Sequence, residues 1–168
     1  MAVRIEPYGV EHAPAFQVLA ADPRIAATTL VPHPYPPDGA VEHAHRVAEA
    51  RQRREAFSFA VLRDSDVVGS CSLLHLDWAA REGEIGYWIG VPYWGRGYAT
   101  AAVRLVSGYG FEALGLRRIV AEVLAVNRAS ARVLEAAGYR RERTFANANA
   151  RHAGAETWGY ARSAPAAA

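Results

Sequence analysis

Val91-Pro92-Tyr93-Trp94-Gly95-Arg96-Gly97-Tyr98-Ala99-Thr100 leads out of a strand and into a helix. The run Glu84 to Val91 before it alternates as a strand does. From Gly97 to Leu114, Ala99, Ala102, Val103, Val106, Gly110 and Ala113 recur on one helical face. A strand that passes through glycines into a helix leaves unpaired amides, and the positive end of the helix dipole, at the helix start. Glycine lets the backbone pass close to a ligand, so a pyrophosphate belongs there. An ordinary tight strand-to-helix turn carries the same local spelling. Two phosphate loops are excluded: the Walker pattern needs a lysine and the chain has none, and Ala102 stands where the Rossmann fingerprint needs its third glycine.

Upstream of this stretch, Phe57 to Leu62 and Val67 to Leu76 read as an antiparallel hairpin turning at Arg63-Asp64-Ser65-Asp66. The first third is helical, with Glu11 to Ala21 stopping before Pro23 and a second helix from Asp38 to about Glu55. Between them, Thr28 to Pro37 carries four prolines, His33 and Tyr35, which suits a stiff connector or a substrate-facing wall. Downstream, Gly115 stops the central helix, Arg118 to Val126 is a strand, and Asn127 caps a helix ending before Gly138. Tyr139 to Phe145 and Glu156 to Arg162 close the order as a strand pair. This alternation predicts an α/β fold: a mixed sheet with helices on both faces.

The 168 residues predict one domain over 1–162, followed by a disordered Ala-rich tail over 163–168. A net charge of +2 creates no single-sign field, which argues against nucleic acid or an acidic membrane as partner. All basic residues are arginine, so no side-chain amine of the chain can itself be acetylated or form a Schiff base. The lone Cys71 excludes an internal disulfide and a cysteine-rich metal site, and fits a reducing compartment. His43 and His45, two apart on a helix, do not share a face, so no metal site is predicted. Met1 to Phe16 contains Glu6 and Glu11 and is not a secretory signal, and no apolar run approaches the ~18 residues of a membrane span. A soluble, cytoplasmic protein is expected.

Four blocks resemble the GNAT superfamily of acetyl-CoA-dependent N-acetyltransferases, and within it the RimJ/RimL-like branch, which acetylates N-terminal amines of ribosomal proteins. They are Glu84-Ile85-Gly86-Tyr87-Trp88-Ile89-Gly90, the loop Trp94-Gly95-Arg96-Gly97-Tyr98-Ala99, Asn127-Arg128-Ala129-Ser130-Ala131-Arg132-Val133-Leu134 with Gly138-Tyr139, and His33-Pro34-Tyr35-Pro36. The superfamily's coenzyme loop is Q/R-x-x-G-x-G/A; tryptophan stands here in its first place. The close match covers about a third of the chain. The resemblance implies a mixed, mostly antiparallel sheet of six or seven strands with a splayed central parallel pair. It also implies acetyl-CoA as cosubstrate, no metal, and an amine acceptor that is a protein N-terminus or a small molecule; a homodimer is compatible with it. Main-chain groups near Ile89 and Val91 would hold the pantetheine and the acetyl carbonyl. The amides of Arg96, Gly97, Ala99 and Thr100 would hold the pyrophosphate, with Trp94, Gly95 and Tyr98 completing the coenzyme-binding loop. Asn127 would contact the coenzyme, Ser130 would protonate the departing thiolate, and Tyr35 and Trp88 would face the acceptor.

Each role has a bland alternative: Asn127 is a good N-cap and serine is common near helix starts. Glu84 shares a strand face with Gly86, Trp88 and Gly90, where a carboxylate can take the amine's proton through water. His75 is a rival base and water a third. Cys71, inside a strand, reads as core, which argues against an acetyl-cysteine route. An α-amine with pKa near ~7.7–8.0 is roughly a tenth neutral at pH 7, whereas a lysine near ~10.4 costs about 4.6 kcal/mol to deprotonate. The modest base candidates therefore favour an α-amine as acceptor by direct attack in a ternary complex. A small-molecule amine is the second reading, although Thr28 to Pro37 holds no acid to attract a polyamine or aminoglycoside. A non-catalytic acyl-CoA sensor is the third, and would need neither Ser130 nor Glu84.

Overall fold

Period-2 alternation sorts the strand side chains onto two faces, and each face carries its own helices. The computed structural model describes residues 2–167. Its strands are β1 (Val3–Pro7), β2 (Phe57–Arg63), β3 (Asp66–Asp77), β4 (Glu82–Ile89), β5 (Arg118–Leu124), β6 (Arg140–Ala146) and β7 (Glu156–Ser163). The helices are α1 (Ala13–Ala20), α2 (Pro23–Ala26), α3 (Gly39–Gln52), α4 (Tyr98–Glu112) and α5 (Arg128–Ala136). The strands form one sheet in the order β1-β2-β3-β4-β5-β7-β6.

On one face, Phe57, Phe59, Val61, Leu73, Ile85 and Ile89 pack against Val103 and Val106 of α4 and Leu134 of α5. On the other, Ala60, Leu62 and Val67 meet Phe16 and Ala20 of α1 and Ala44 of α3. The mixed sheet with helices on both faces is thus the expected one.

Every neighbouring pair is antiparallel except β4 and β5. Their parallel register covers only Glu82↔Arg118, Gly83↔Ile119 and Glu84↔Val120. Beyond it, β4 stays on β3 as far as Ile89, and β5 stays on β7 as far as Leu124. The sheet therefore forks at its centre.

Three details differ from the sequence reading. β1 was not apparent, because a five-residue segment ending in Pro7 is short for a period-2 signal; it is an edge strand, where proline is tolerated. Asp38 occupies the N-cap position of α3 through its carbonyl, which accepts the Glu42 amide at 3.0 Å, and not through its side chain. The tail does not fray from Ser163: that residue ends β7, and the Ala164 amide donates to the Arg117 carbonyl at 2.8 Å. Cross-strand bonding tethers what composition alone marks as loose.

Gly69 of β3 faces Ile89 across the ladder. A Cβ there would clash with the Trp88 carbonyl oxygen and lie 2.9 Å from Ile89 Cα. Backbone cannot yield as a side chain can, so Gly69→Ala should destabilise by about 2 kcal/mol, within the range for overpacking. Urea unfolding reads this directly; an unchanged midpoint would mean that β3 and β4 part freely here.

Candidate active site

The fork places the C-terminal ends of β4 and β5 side by side with a gap between them, the position at which open α/β sheets bind ligands. After β4 the chain makes a short 3₁₀ turn, Val91–Tyr93. The Trp94 indole N–H then folds back to donate to the Ile89 carbonyl at 2.6 Å. Of the main-chain groups assigned to pantetheine, the Ile89 carbonyl is therefore already shared with this indole. Gly95 and Gly97 have φ of +72° and +80°, a region that disfavours any side chain. The first α4 bond runs from the Ala101 amide to the Gly97 carbonyl at 3.1 Å. Among the described residues, no amide from Gly95 to Thr100 donates to another group of the protein. A Cβ at Gly95 or Gly97 would meet nothing within 4 Å. Free amides, a helix dipole and open space together fit a pyrophosphate. Arg96 is exposed and in no ion pair among the described residues, whereas the Tyr98 side chain is buried, so only the Tyr98 amide can serve.

Across the gap, Asn127 Oδ1 accepts the Ser130 amide at 3.2 Å, which makes the expected N-cap of α5 and leaves its Nδ2 without a hydrogen bond among the described residues. The Tyr87 hydroxyl lies 2.6 Å from Ser130 Oγ and 3.1 Å from the Ser130 carbonyl oxygen, so its one proton is within reach of both acceptors. Burial pushes the Tyr87 phenol above its usual range, so it stays protonated. Alternation puts Tyr87 on the face opposite Glu84, packed against the core, where a sequence pattern reads a tyrosine as packing and assigns it no role.

On the Glu84 face, a cavity of about 780 Å³ opens beneath α1, α3 and the segment Thr28 to Pro37. Glu84, Trp88 and Tyr35 line it, and so do Asn127 and Ser130; the loop Trp94 to Thr100 does not. Thr28 to Pro37 is thus a wall of the cavity and not a remote connector. Trp88 meets Phe16 edge-on at 4.9 Å, and Tyr35 lies 6.4 Å from the same ring. The floor is polar, with Ser72 Oγ bonded to Ser58 Oγ at 2.9 Å. His43 stands on this wall with a pKa lowered to about 4 by burial and by Arg46, so it is neutral at pH 7. Arg151, in the β6–β7 connection, donates to the Val31 carbonyl at 2.5 Å and the Thr29 carbonyl at 3.3 Å. The two loops are tied together over the cavity.

Glu84 Oε2 lies 2.8 Å from His75 Nδ1, so the structure joins two base candidates that the sequence left as rivals. A bulge between Leu74 and Asp77, with His75 at φ +48°, turns the imidazole toward Glu84. The Glu84 side chain is 28% exposed and that of His75 76%, so the pair runs from cavity to solvent. Glu122 is a further ionisable group on this wall, absent from the sequence reading. It lies two residues past Val120, the partner of Glu84, on the same face. Burial, with Glu84 second, raises its pKa, partly offset by Arg143 at 3.2 Å. Arg143 reaches it over Gly159, where a Cβ would sit 2.7 Å from Arg143 Cγ. Only the strand register reveals this row.

Gly97→Val would force a β-branched side chain into a left-handed backbone at the amide cradle. Acetyl-CoA affinity should fall tenfold or more, on the order of 1.4 kcal/mol, in calorimetry on the folded variant. Unchanged affinity would remove the loop from the coenzyme site.

The Acetyltransferase (GNAT) domain model matches residues 3–140. An N-acetyltransferase of Bacillus licheniformis named p20, described as uncharacterized, is 36% identical over 86 residues, which are 51% of this chain and 48% of that one. The chain spans about half the length of such curated relatives. The ribosomal-protein-S5-alanine acetyltransferase of Vibrio fischeri superposes with a TM-score of 0.85 at 20% identity, covering 97% of this chain and 93% of that one. The spermidine N-acetyltransferase of Vibrio cholerae, solved with CoA and spermine, gives 0.80 at 16%, covering 96% and 95%. At these identities both report a shared fold, while the domain match spans most of the chain: this protein belongs to the GNAT acetyltransferase family.

Proposed function

We propose that the chain transfers an acetyl group from acetyl-CoA to a primary amine, most simply the N-terminal α-amine of a protein or peptide. The carrying observation is that an unpaired-amide cradle and a walled cavity lie at the two sides of one fork, with Glu84, His75 and Ser130 all on the cavity lining. The amine sheds its proton through Glu84 and His75 to solvent and attacks the thioester carbon directly. The carbon–sulfur bond breaks, the sulfur takes the Ser130 hydroxyl proton, the nitrogen's second proton leaves by the same Glu84–His75 route, and Ser130 regains a proton from water. The buried Cys71, whose thiol burial pushes upward, is unsuited to an acetyl-cysteine step. A carboxylate–imidazole pair matches the modest demand of an α-amine better than that of a lysine.

A second reading has support of its own. Thr28 to Pro37 lacks acids, but Glu42, Glu84 and Glu122 all reach the cavity wall, which a polycationic small molecule would favour. A panel of an unblocked peptide, an N-terminally blocked lysine peptide and spermidine, scored by free-thiol release, separates the readings. The unblocked peptide should lead. A lead for spermidine would favour the small-molecule reading, and acetyl-CoA binding without turnover on any amine would favour a sensor.

Ser130→Ala should lower kcat more than it raises the acetyl-CoA KM, because protonation of the thiolate matters in the transition state. An intact kcat with a lower melting temperature would leave Ser130 a helix-start residue only. Glu84→Gln should keep acetyl-CoA affinity and depress kcat/KM most at pH well below the acceptor's own pKa. The gap should narrow as pH rises through that pKa, since solvent then supplies neutral amine. A constant ratio to wild type from about pH 6 to about pH 9 would remove Glu84 as the base.

A further inference from the structure

Tyr87 takes no part in the proton path from the amine, yet its hydroxyl is placed on both oxygens of Ser130, at 2.6 Å from Oγ and 3.1 Å from the carbonyl. Counting protons shows what is at stake. Each hydroxyl owns one proton, and the 2.6 Å contact consumes one of the two. Were Ser130 the donor, its only proton would point at Tyr87, and none would be left for a sulfur in the gap. The Tyr87 proton faces two acceptors, Ser130 Oγ at 2.6 Å and the Ser130 carbonyl at 3.1 Å, and shared as a three-centre bond weighted to the nearer Oγ it fills this contact. The Ser130 proton is then free to point away from Tyr87, toward the gap between β4 and β5.

We infer that Tyr87 is a positioning residue for the leaving-group step, holding the Ser130 hydroxyl proton toward the coenzyme sulfur. The inference rests on the reading above, in which Ser130 protonates that sulfur. As the amine nitrogen bonds to the thioester carbon, the carbon–sulfur bond breaks and its electron pair goes to sulfur. Sulfur takes the Ser130 proton, the nitrogen's surplus proton leaves through Glu84, and half-exposed Ser130 recovers a proton from water. Throughout, the Tyr87 O–H stays intact and stabilises the negative charge that builds on Oγ. Burial favours this role over that of a proton source, because it keeps the phenol protonated.

The test is a double-mutant cycle on single-turnover thiol release with the unblocked peptide, comparing Tyr87→Phe, Ser130→Ala and the double variant. Tyr87→Phe should slow release about tenfold, the equivalent of ~1.4 kcal/mol, with acetyl-CoA affinity unchanged. In the Ser130→Ala background the same change should add almost nothing, because the residue acts through Ser130. A merely structural Tyr87 would lower the melting temperature without this non-additivity. Should Tyr87→Phe fail to fold, 3-fluorotyrosine at position 87 keeps the packing and strengthens the donor. It should then speed release with Ser130 present and have no effect with alanine there. Normal release in Tyr87→Phe alongside slow release in Ser130→Ala overturns the role of Tyr87 alone. Normal release in Ser130→Ala overturns the reading of Ser130, and the inference with it.

Discussion

Three residue pairs of parallel ladder, ending at Glu84 and Val120, are the constraint on which the rest of this structure depends. A parallel pair that continued would close the centre of the sheet and leave no edge groups for a ligand. Instead each strand keeps a full antiparallel partner on its outer side, β3 for β4 and β7 for β5, so the parting costs only the bonds of the gap itself. Unpaired strand groups in a gap resemble an open sheet edge, which binds extended ligands by main-chain hydrogen bonds. In this fold the edge faces inward, where aggregation is not a hazard.

β4 carries, on its two faces, residues of both proposed proton transfers. Along β4, Glu84, Gly86 and Trp88 alternate with Ile85, Tyr87 and Ile89, which pack on the core under α4 and α5, although Ile85 and Tyr87 also reach the cavity lining. One strand thus carries the proposed base, Glu84, and the hydrogen-bond partner of Ser130 on opposite faces. In the proposed reaction Glu84 and Tyr87 would stay apart because a pleated strand turns successive side chains to opposite sides. Only the reacting atoms, in the gap, would reach both.

Glycine serves two physical purposes here. At Gly95 and Gly97 it supplies a left-handed backbone that aims successive amides outward into open space. At Gly159 it supplies clearance, letting Arg143 cross β7 to reach Glu122 on β5. The first purpose is visible in a sequence as Gly-x-Gly before a helix. The second is invisible without a register, because Glu122, Arg143 and Gly159 are far apart along the chain.

The sequence by itself determined the helices and strands that carry strong periodicity, the cradle at the start of α4, the N-cap Asn127 and the shared face of Glu84 and Trp88. Each of these depends on neighbours within a few residues, where spacing and backbone preference act directly. The tertiary structure alone decided the edge strand β1, the anchoring of Ser163 and Ala164, the pairing of His75 with Glu84, and the sites taken by Tyr87 and Glu122. Alternation assigns a residue to a face, but which faces open onto a gap follows from where pairing stops. That end point is set by packing against β3, β7 and α4, over contacts that no local pattern encodes.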